Sequence, residues 1–126
     1  MLFRSHYYPQ GGEASDDVST ATQLLRNRST RSLWDPNYKD ESWLQYLPQN
    51  RIQLIPKLQS WIATSYPGTR TAITEYNWGA ENHINGATAQ ADVFGIFGRE
   101  GLDIGTRWGL PDAGTPTYKE IGRAHV

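Results

Sequence analysis

The run Thr71-Ala72-Ile73-Thr74-Glu75-Tyr76-Asn77-Trp78-Gly79 holds one carboxylate behind a series of small and β-branched residues. Such a run reads as a short buried strand that delivers Glu75 to its end, where the chain opens into a polar, aromatic-lined loop. A carboxylate at the C-terminal end of a barrel strand is a common position for a nucleophile or general base. The same pattern also suits a strand-edge glutamate paired with an arginine, and both readings stand at this point. Around it lies an unusual number of rings: five Trp and seven Tyr in a chain that is only 37% hydrophobic. Trp34 precedes Asp35-Pro36-Asn37, Trp78 precedes Gly79 and Trp108 precedes Gly109. Rings beside turn residues can line a cleft and stack on flat ligands, or can simply cap a core from above.

Composition narrows the classes. A length of 126 residues suits one small domain or a piece of a larger one. With 12 basic against 13 acidic residues, spread along the chain, the net charge of -1 offers no surface for nucleic acid or an anionic membrane. The absence of cysteine excludes disulfides and thiolate metal sites. No apolar run reaches membrane-spanning length and no leader opens the chain, although an export signal is not thereby excluded. His6 and His83 are too far apart, and too poor in neighbouring ligands, for a zinc site. The sequence therefore assigns no metal ligand.

The two ends read together as foreign. Met1-Leu2-Phe3-Arg4-Ser5 back-translates as GTG CTC TTC CGA TCT, with GTG as the start codon. The reverse complement, AGATCGGAAGAGCAC, read from its third base and extended by AC GTC, gives Ile121-Gly122-Arg123-Ala124-His125-Val126. Residues 1–5 and 120–126 are accordingly expected to be translated sequencing adapter, with Glu120 straddling the junction, and residues 6–119 to be the insert. His125 is then no ligand and Arg123 no basic patch.

Elements that could position Glu75 follow in order. His6-Tyr7-Tyr8-Pro9-Gln10 reads as a strand end, since Pro9 stops ladder pairing. Val18 to Arg28 has helical character with Leu24 and Leu25 as its apolar side. Ser29 to Gln49 is a long aromatic-rich connection holding Trp34, Tyr38, Trp43 and Tyr46. Ile52, Ile55, Leu58 and Ile62 recur at helical spacing with Trp61 on the shoulder, which admits Pro56 only in the first turn. Tyr66-Pro67-Gly68 stops that helix ahead of the Glu75 strand. A further helix is expected over Asn85 to Arg99, burying Ala87, Gln90/Ala91 and Phe94 along one side with Ile96 and Phe97 extending that surface, and Gly86, Gly95 and Gly98 permitting close packing. Leu102 to Trp108 reads as the last strand. Strand and helix in alternation signify βαβ units and a parallel sheet. Chemistry-bearing residues after the strands favour a (β/α)8 barrel, and no GxGxxG or GxxxxGK[ST] loop argues otherwise.

Four stretches together resemble glycoside hydrolase family 44, β-1,4-endoglucanases and xyloglucanases. They are His6-Tyr7-Tyr8-Pro9-Gln10, Arg31-Ser32-Leu33-Trp34-Asp35-Pro36, Thr74-Glu75-Tyr76-Asn77-Trp78-Gly79, and the block from His83-Ile84-Asn85-Gly86 to Arg99-Glu100-Gly101-Leu102-Asp103. The resemblance implies the C-terminal part of a (β/α)8 TIM barrel, from the end of strand six to strand eight, and hydrolysis with retention. It implies that Glu75 is the nucleophile, that Trp43 and Trp108 stack on sugar, and that His6 and Tyr7 bind substrate near Glu75, with His6 donating to sugar hydroxyls or to Glu75. Trp78 is a loop candidate for the same cleft, Trp34 could serve cleft or core, and Trp61 belongs with the core. The family's acid/base follows strand four, which has no counterpart here, so the chain alone is expected to be inactive. A β-glucan polysaccharide is the implied partner and the extracellular space the implied location. No cofactor is needed for the chemistry. The family's structural calcium has no assignable ligands in this sequence. A non-catalytic carbohydrate-binding fragment using the loop tryptophans is the alternative.

Overall fold

Glycine and proline punctuate the chain into strands and helices whose order is visible in the computed structural model, which describes residues 1–123. The elements are β1 (Leu2–Tyr7), α1 (Thr20–Ser29), α2 (Leu54–Ser65), β2 (Arg70–Tyr76), α3 (Ile84–Arg99), β3 (Ile104–Gly105) and α4 (Pro116–Arg123). Two 3₁₀ turns, Thr30–Leu33 and Trp43–Tyr46, interrupt the long connection between α1 and α2. The strands form one parallel sheet in the order β1-β2-β3. Parallel neighbours need crossovers rather than tight turns, and here α1 and α2 serve the first and α3 the second. The expected βαβ alternation is therefore the observed architecture.

Each helix starts and stops for a local reason. In α2, Ile55, Leu58 and Ile62 are buried at helical spacing. Pro56 falls in the first turn, where its missing N–H leaves no bond unmade. Gly68, at φ +84°, turns the chain into β2. Trp61, expected in the core, sits off the buried stripe: it is half exposed and stands edge-on to Phe3 at 6.3 Å. In α1 the start is Thr20 rather than Val18, because the Ser19 side chain caps the helix by accepting from the Thr22 N–H. Its expected apolar side is also revised. Leu24 is exposed, and the buried side chains are Arg26 and Ser29.

In α3 the buried stripe is Ala87, Gln90, Val93 and Phe97, flanked by Ala89 and Ile96. Val93 takes the place expected for Phe94, since it lies three residues beyond Gln90 on the same face. Of its three glycines only Gly86 permits a close approach, because a Cβ there would lie 2.1 Å from the Ala80 carbonyl oxygen. Gly95 and Gly98 face open space. The last strand is shorter than the expected Leu102–Trp108, yet its main chain stays aligned with β2. The Thr106 N–H reaches the Ile73 carbonyl at 2.9 Å and the Trp108 N–H reaches the Tyr76 carbonyl at 3.0 Å. Helix α4 was not anticipated. Pro116 opens it, and the Thr115 hydroxyl caps it by accepting the Tyr118 N–H at 3.1 Å. Both α4 and β1 take in residues of the ends ascribed to adapter, as main-chain hydrogen bonding forms whatever DNA encoded it. His125 lies outside the described residues.

One irregularity decides which side chains face which way. Ser5 pairs with Ile73 and His6 with Glu75, so Thr74 is an extra residue on β2. Such a bulge lets Ile73 and Tyr76 both point toward the helices with Thr74 and Glu75 between them. They pack there with Tyr7 and Trp78, against Leu33, Ile55 and Leu58 on one flank and Val93, Ile96 and Phe97 on the other. Each such fully buried aliphatic or aromatic side chain contributes about 1.5–3 kcal/mol.

Candidate functional site

Successive residues of a strand point to opposite faces, and this fixes the surroundings of Glu75. His6 and Tyr8 share one side of the chain leaving β1, and both reach Glu75. The Tyr8 hydroxyl donates to Glu75 Oε2 at 3.0 Å, and His6 Nδ1 lies 3.3 Å from the same oxygen. Among the described residues Glu75 Oε1 takes no hydrogen bond. The carboxylate is thus anchored through one oxygen and bare at the other. Burial, followed by the hydrogen bond to Glu75 and its charge, pushes the Tyr8 phenol up to about 12. Tyr8 therefore stays a protonated donor through the neutral range. A carboxylate held this way can act as a nucleophile or base through Oε1. The arginine-paired alternative is not what forms, since the partners of Glu75 are His6 and Tyr8.

Tyr7 lies on the opposite side, and its expected place beside Glu75 is taken by Tyr8. Its ring is buried 5.5 Å from that of Trp78, and burial pushes its phenol up. Tyr7 Oη makes no well-formed hydrogen bond, although the Ser32 hydroxyl is close. Trp78 is likewise corrected. It is 2% exposed, and its indole N–H donates to the Ser29 hydroxyl at 3.0 Å. Neither ring offers a face to a ligand here. The reason lies in packing: helix α1 brings Ser29 over the β2 end and gives the Trp78 N–H its partner inside the core.

Trp43 and Trp108 do stand in the open, 56% and 61% exposed. Trp43 comes from the second 3₁₀ turn and donates to Gln10 Oε1 at 3.4 Å, which ties its loop to the segment after β1. Trp108 follows β3 and is held through its backbone. Its carbonyl accepts from Asn77 Nδ2 at 3.1 Å and from the Arg107 guanidinium at 3.3 Å. Arg107 also donates to Asn77 Oδ1 at 2.9 Å and pairs with Glu81 at 2.5 Å. This clamp joins the loops that follow β2 and β3. Trp34 resolves toward structure: it packs on the core with the Arg99 guanidinium 4.1 Å above its ring. His83 caps α3, its Nδ1 accepting the Asn85 N–H at 3.1 Å.

Tyr8, Asn77 and Arg107 were missed from sequence. Tyr8 was within reach, because His6 and position 8 share a face in any extended segment. Arg107 carried no such signal. Among the described residues no three His, Cys, Asp or Glu side chains come together. No helix among them is long and apolar enough to cross a membrane.

Comparison with known proteins gives a consistent set of matches, although no family model matches the chain. A solved bifunctional glucanase-xylanase from a metagenome library is 67% identical, with a TM-score of 0.91, over 95% of this chain and 22% of its own. A glycoside hydrolase family 44 endoglucanase from Clostridium acetobutylium ATCC 824 is 34% identical, with a TM-score of 0.85, over 96% of this chain and 25% of its own. Among curated relatives, Endoglucanase A of Paenibacillus lautus is 43% identical, covering 85% of this chain and 16% of its own length. The chain spans a quarter or less of each of these proteins.

Proposed function

Because the chain matches, in sequence and in fold, a segment of glycoside hydrolase family 44, we propose that it supplies the nucleophile, Glu75, of a retaining β-1,4-glucan hydrolase. The segment corresponds to the end of strand six through strand eight of a (β/α)8 barrel. The observation that carries this reading is the one-sided anchoring of the carboxylate, Oε2 on Tyr8 and His6 with Oε1 free. Oε1 attacks the anomeric carbon, and the glycosidic C–O bond breaks with its electron pair leaving on the departing oxygen. Water then displaces Glu75 from the sugar.

Retention requires a second carboxyl group roughly 5 Å from the first to protonate the leaving oxygen. Four other acids of the chain have partners of their own, Glu81 on Arg107, Glu100 on Arg99, Asp92 on Thr30, and Asp103 on Thr71 at the start of β2, away from Glu75. The family resemblance puts the acid/base after strand four, outside this segment, so the chain alone should not turn over carboxymethylcellulose or xyloglucan. The exposed faces of Trp43 and Trp108 give a glucan chain two stacking surfaces at the cleft. A polymeric substrate of this kind fits an extracellular location. A purely carbohydrate-binding role would leave the anchored carboxylate without a task.

The test is to place residues 6–119 in a complete family 44 barrel in place of its own segment and react the grafted enzyme with a dinitrophenyl 2-deoxy-2-fluoro cello-oligosaccharide. Glu75 should be the labelled residue in the trapped adduct, and Glu75→Gln should abolish both labelling and turnover. A label on any other carboxylate overturns the reading.

A further inference from the structure

We propose that Arg26 is a positioning residue for Glu75, fastening the loop after β1 to the loop after β2 from inside the fold. This rests on Glu75 being the nucleophile. Arg26 is 0% exposed, and all its contacts are to neutral oxygens. Its Nε donates to the Glu13 carbonyl at 2.9 Å and to the Trp78 carbonyl at 2.7 Å. One terminal nitrogen reaches the Ser15 and Asp17 carbonyls, both at 3.0 Å, and the other reaches Asn85 Oδ1 at 2.7 Å. A buried guanidinium is costly to desolvate, and this one is satisfied by two loops and the start of α3. Glu13, Ser15 and Asp17 belong to the loop that begins at Tyr8, and Trp78 to the loop that begins at Asn77, two residues beyond Glu75.

The two loops also interlock sterically. Gly79, at φ +69°, lies so close to Ser15 that a Cβ would come within 2.4 Å of the Ser15 carbonyl oxygen. The Ala80 N–H donates to that same oxygen at 3.1 Å. Arg26 and Gly79 thus hold one junction from two sides. The 3.0 Å bond from Tyr8 to Glu75 crosses between the roots of the same loops. A lysine keeps the charge of Arg26 but not the planar fork that reaches five acceptors on three segments.

The experiment uses the grafted complete enzyme and the fluoroglycoside reaction. It reads separately the rate constant of adduct formation, the fraction of enzyme trapped, and the affinity for an unreactive cello-oligosaccharide. Arg26→Lys and Gly79→Ala should each slow adduct formation, by about a hundredfold for a displacement near 1 Å, with affinity and trapped fraction retained. Ile62→Ala, buried near the end of α2 that leads into the start of β2, is the control: it lowers thermal stability and leaves the rate constant unchanged. Adduct formation at the wild-type rate in Arg26→Lys overturns the proposal, as does a loss confined to the trapped fraction. Trapping that persists in Glu75→Gln would instead overturn the assignment of the nucleophile.

Discussion

Removing the Tyr8 hydroxyl tests the anchoring of Glu75 directly. Tyr8→Phe deletes one 3.0 Å bond to a carboxylate oxygen and leaves the ring in place. Hydrogen bonds to charged groups are worth about 1.5–3 kcal/mol when both partners are dry. The Glu75 side chain is 28% exposed, so water recovers part of that, and about 1–2 kcal/mol is the appropriate range. At 1.36 kcal/mol per tenfold in rate, kcat/KM of the grafted enzyme should fall about 5–30-fold. His6 approaches the same oxygen at 3.3 Å with half its side chain in water. His6→Ala should therefore cost less than about 1 kcal/mol, or under about fivefold. Both losses should fall on the chemical steps, because neither group is placed to bind the distant sugars that Trp43 and Trp108 stack upon. Steady-state kinetics on an aryl cello-oligosaccharide, with binding measured independently, gives the comparison. An unchanged kcat/KM in Tyr8→Phe, or a larger loss in His6→Ala, would refute the reasoning.

Trp78→Ala should behave as a core truncation, lowering stability by about 3–5 kcal/mol in chemical denaturation. Trp43→Ala and Trp108→Ala should leave the melting temperature in place and weaken glucan binding, as titration by intrinsic fluorescence would show. Glu81→Gln removes the charged partner of Arg107, and the lost charge-assisted bond should loosen Trp108, seen as lower fluorescence anisotropy and weaker glucan binding with the Glu75 trapping rate retained. Burial raises the phenols of Tyr7, Tyr8, Tyr38 and Tyr76 above their ordinary value, so their contribution to stability is full below about pH 10 and is lost as pH rises through the folded values, which for Tyr8 is about 12. Thermal melts should fall steeply in that alkaline window. On the acid side, hydrogen bonds to backbone and hydroxyl groups hold Asp17 and Asp103 below the usual range, as do the Asn37 N–H and Arg31 for Asp35 and, for Glu41, Arg28. Their stabilisation is present above about pH 4 and lost as pH drops through the folded values, which circular dichroism would follow. Sequencing the coding DNA tests the adapter origin of residues 1–5 and 120–126, and synonymous codons that break the complementarity would refute it.

The sequence by itself determined what repeats locally. The 3–4 spacing of Ile55, Leu58 and Ile62 specified α2, the β-branched run specified β2, and the alternation of the two specified a parallel sheet. It also placed Glu75 at a strand end, since that follows from where the apolar run stops. Side-chain direction was another matter. Whether Tyr7 or Tyr8 meets Glu75 depends on the register of β1 against β2 and on the extra residue at Thr74, a pairing across more than sixty residues of chain. Trp78 looked like a loop ring until Ser29, 49 residues earlier, supplied its indole N–H with a partner in the core. Arg26 reads as surface in any local window, because burying a guanidinium is unfavourable until five acceptors from distant segments converge on it. Local pattern sets which elements form. Only tertiary pairing decides which polar groups find partners, and therefore which side chains face the cleft and which are sealed beneath it.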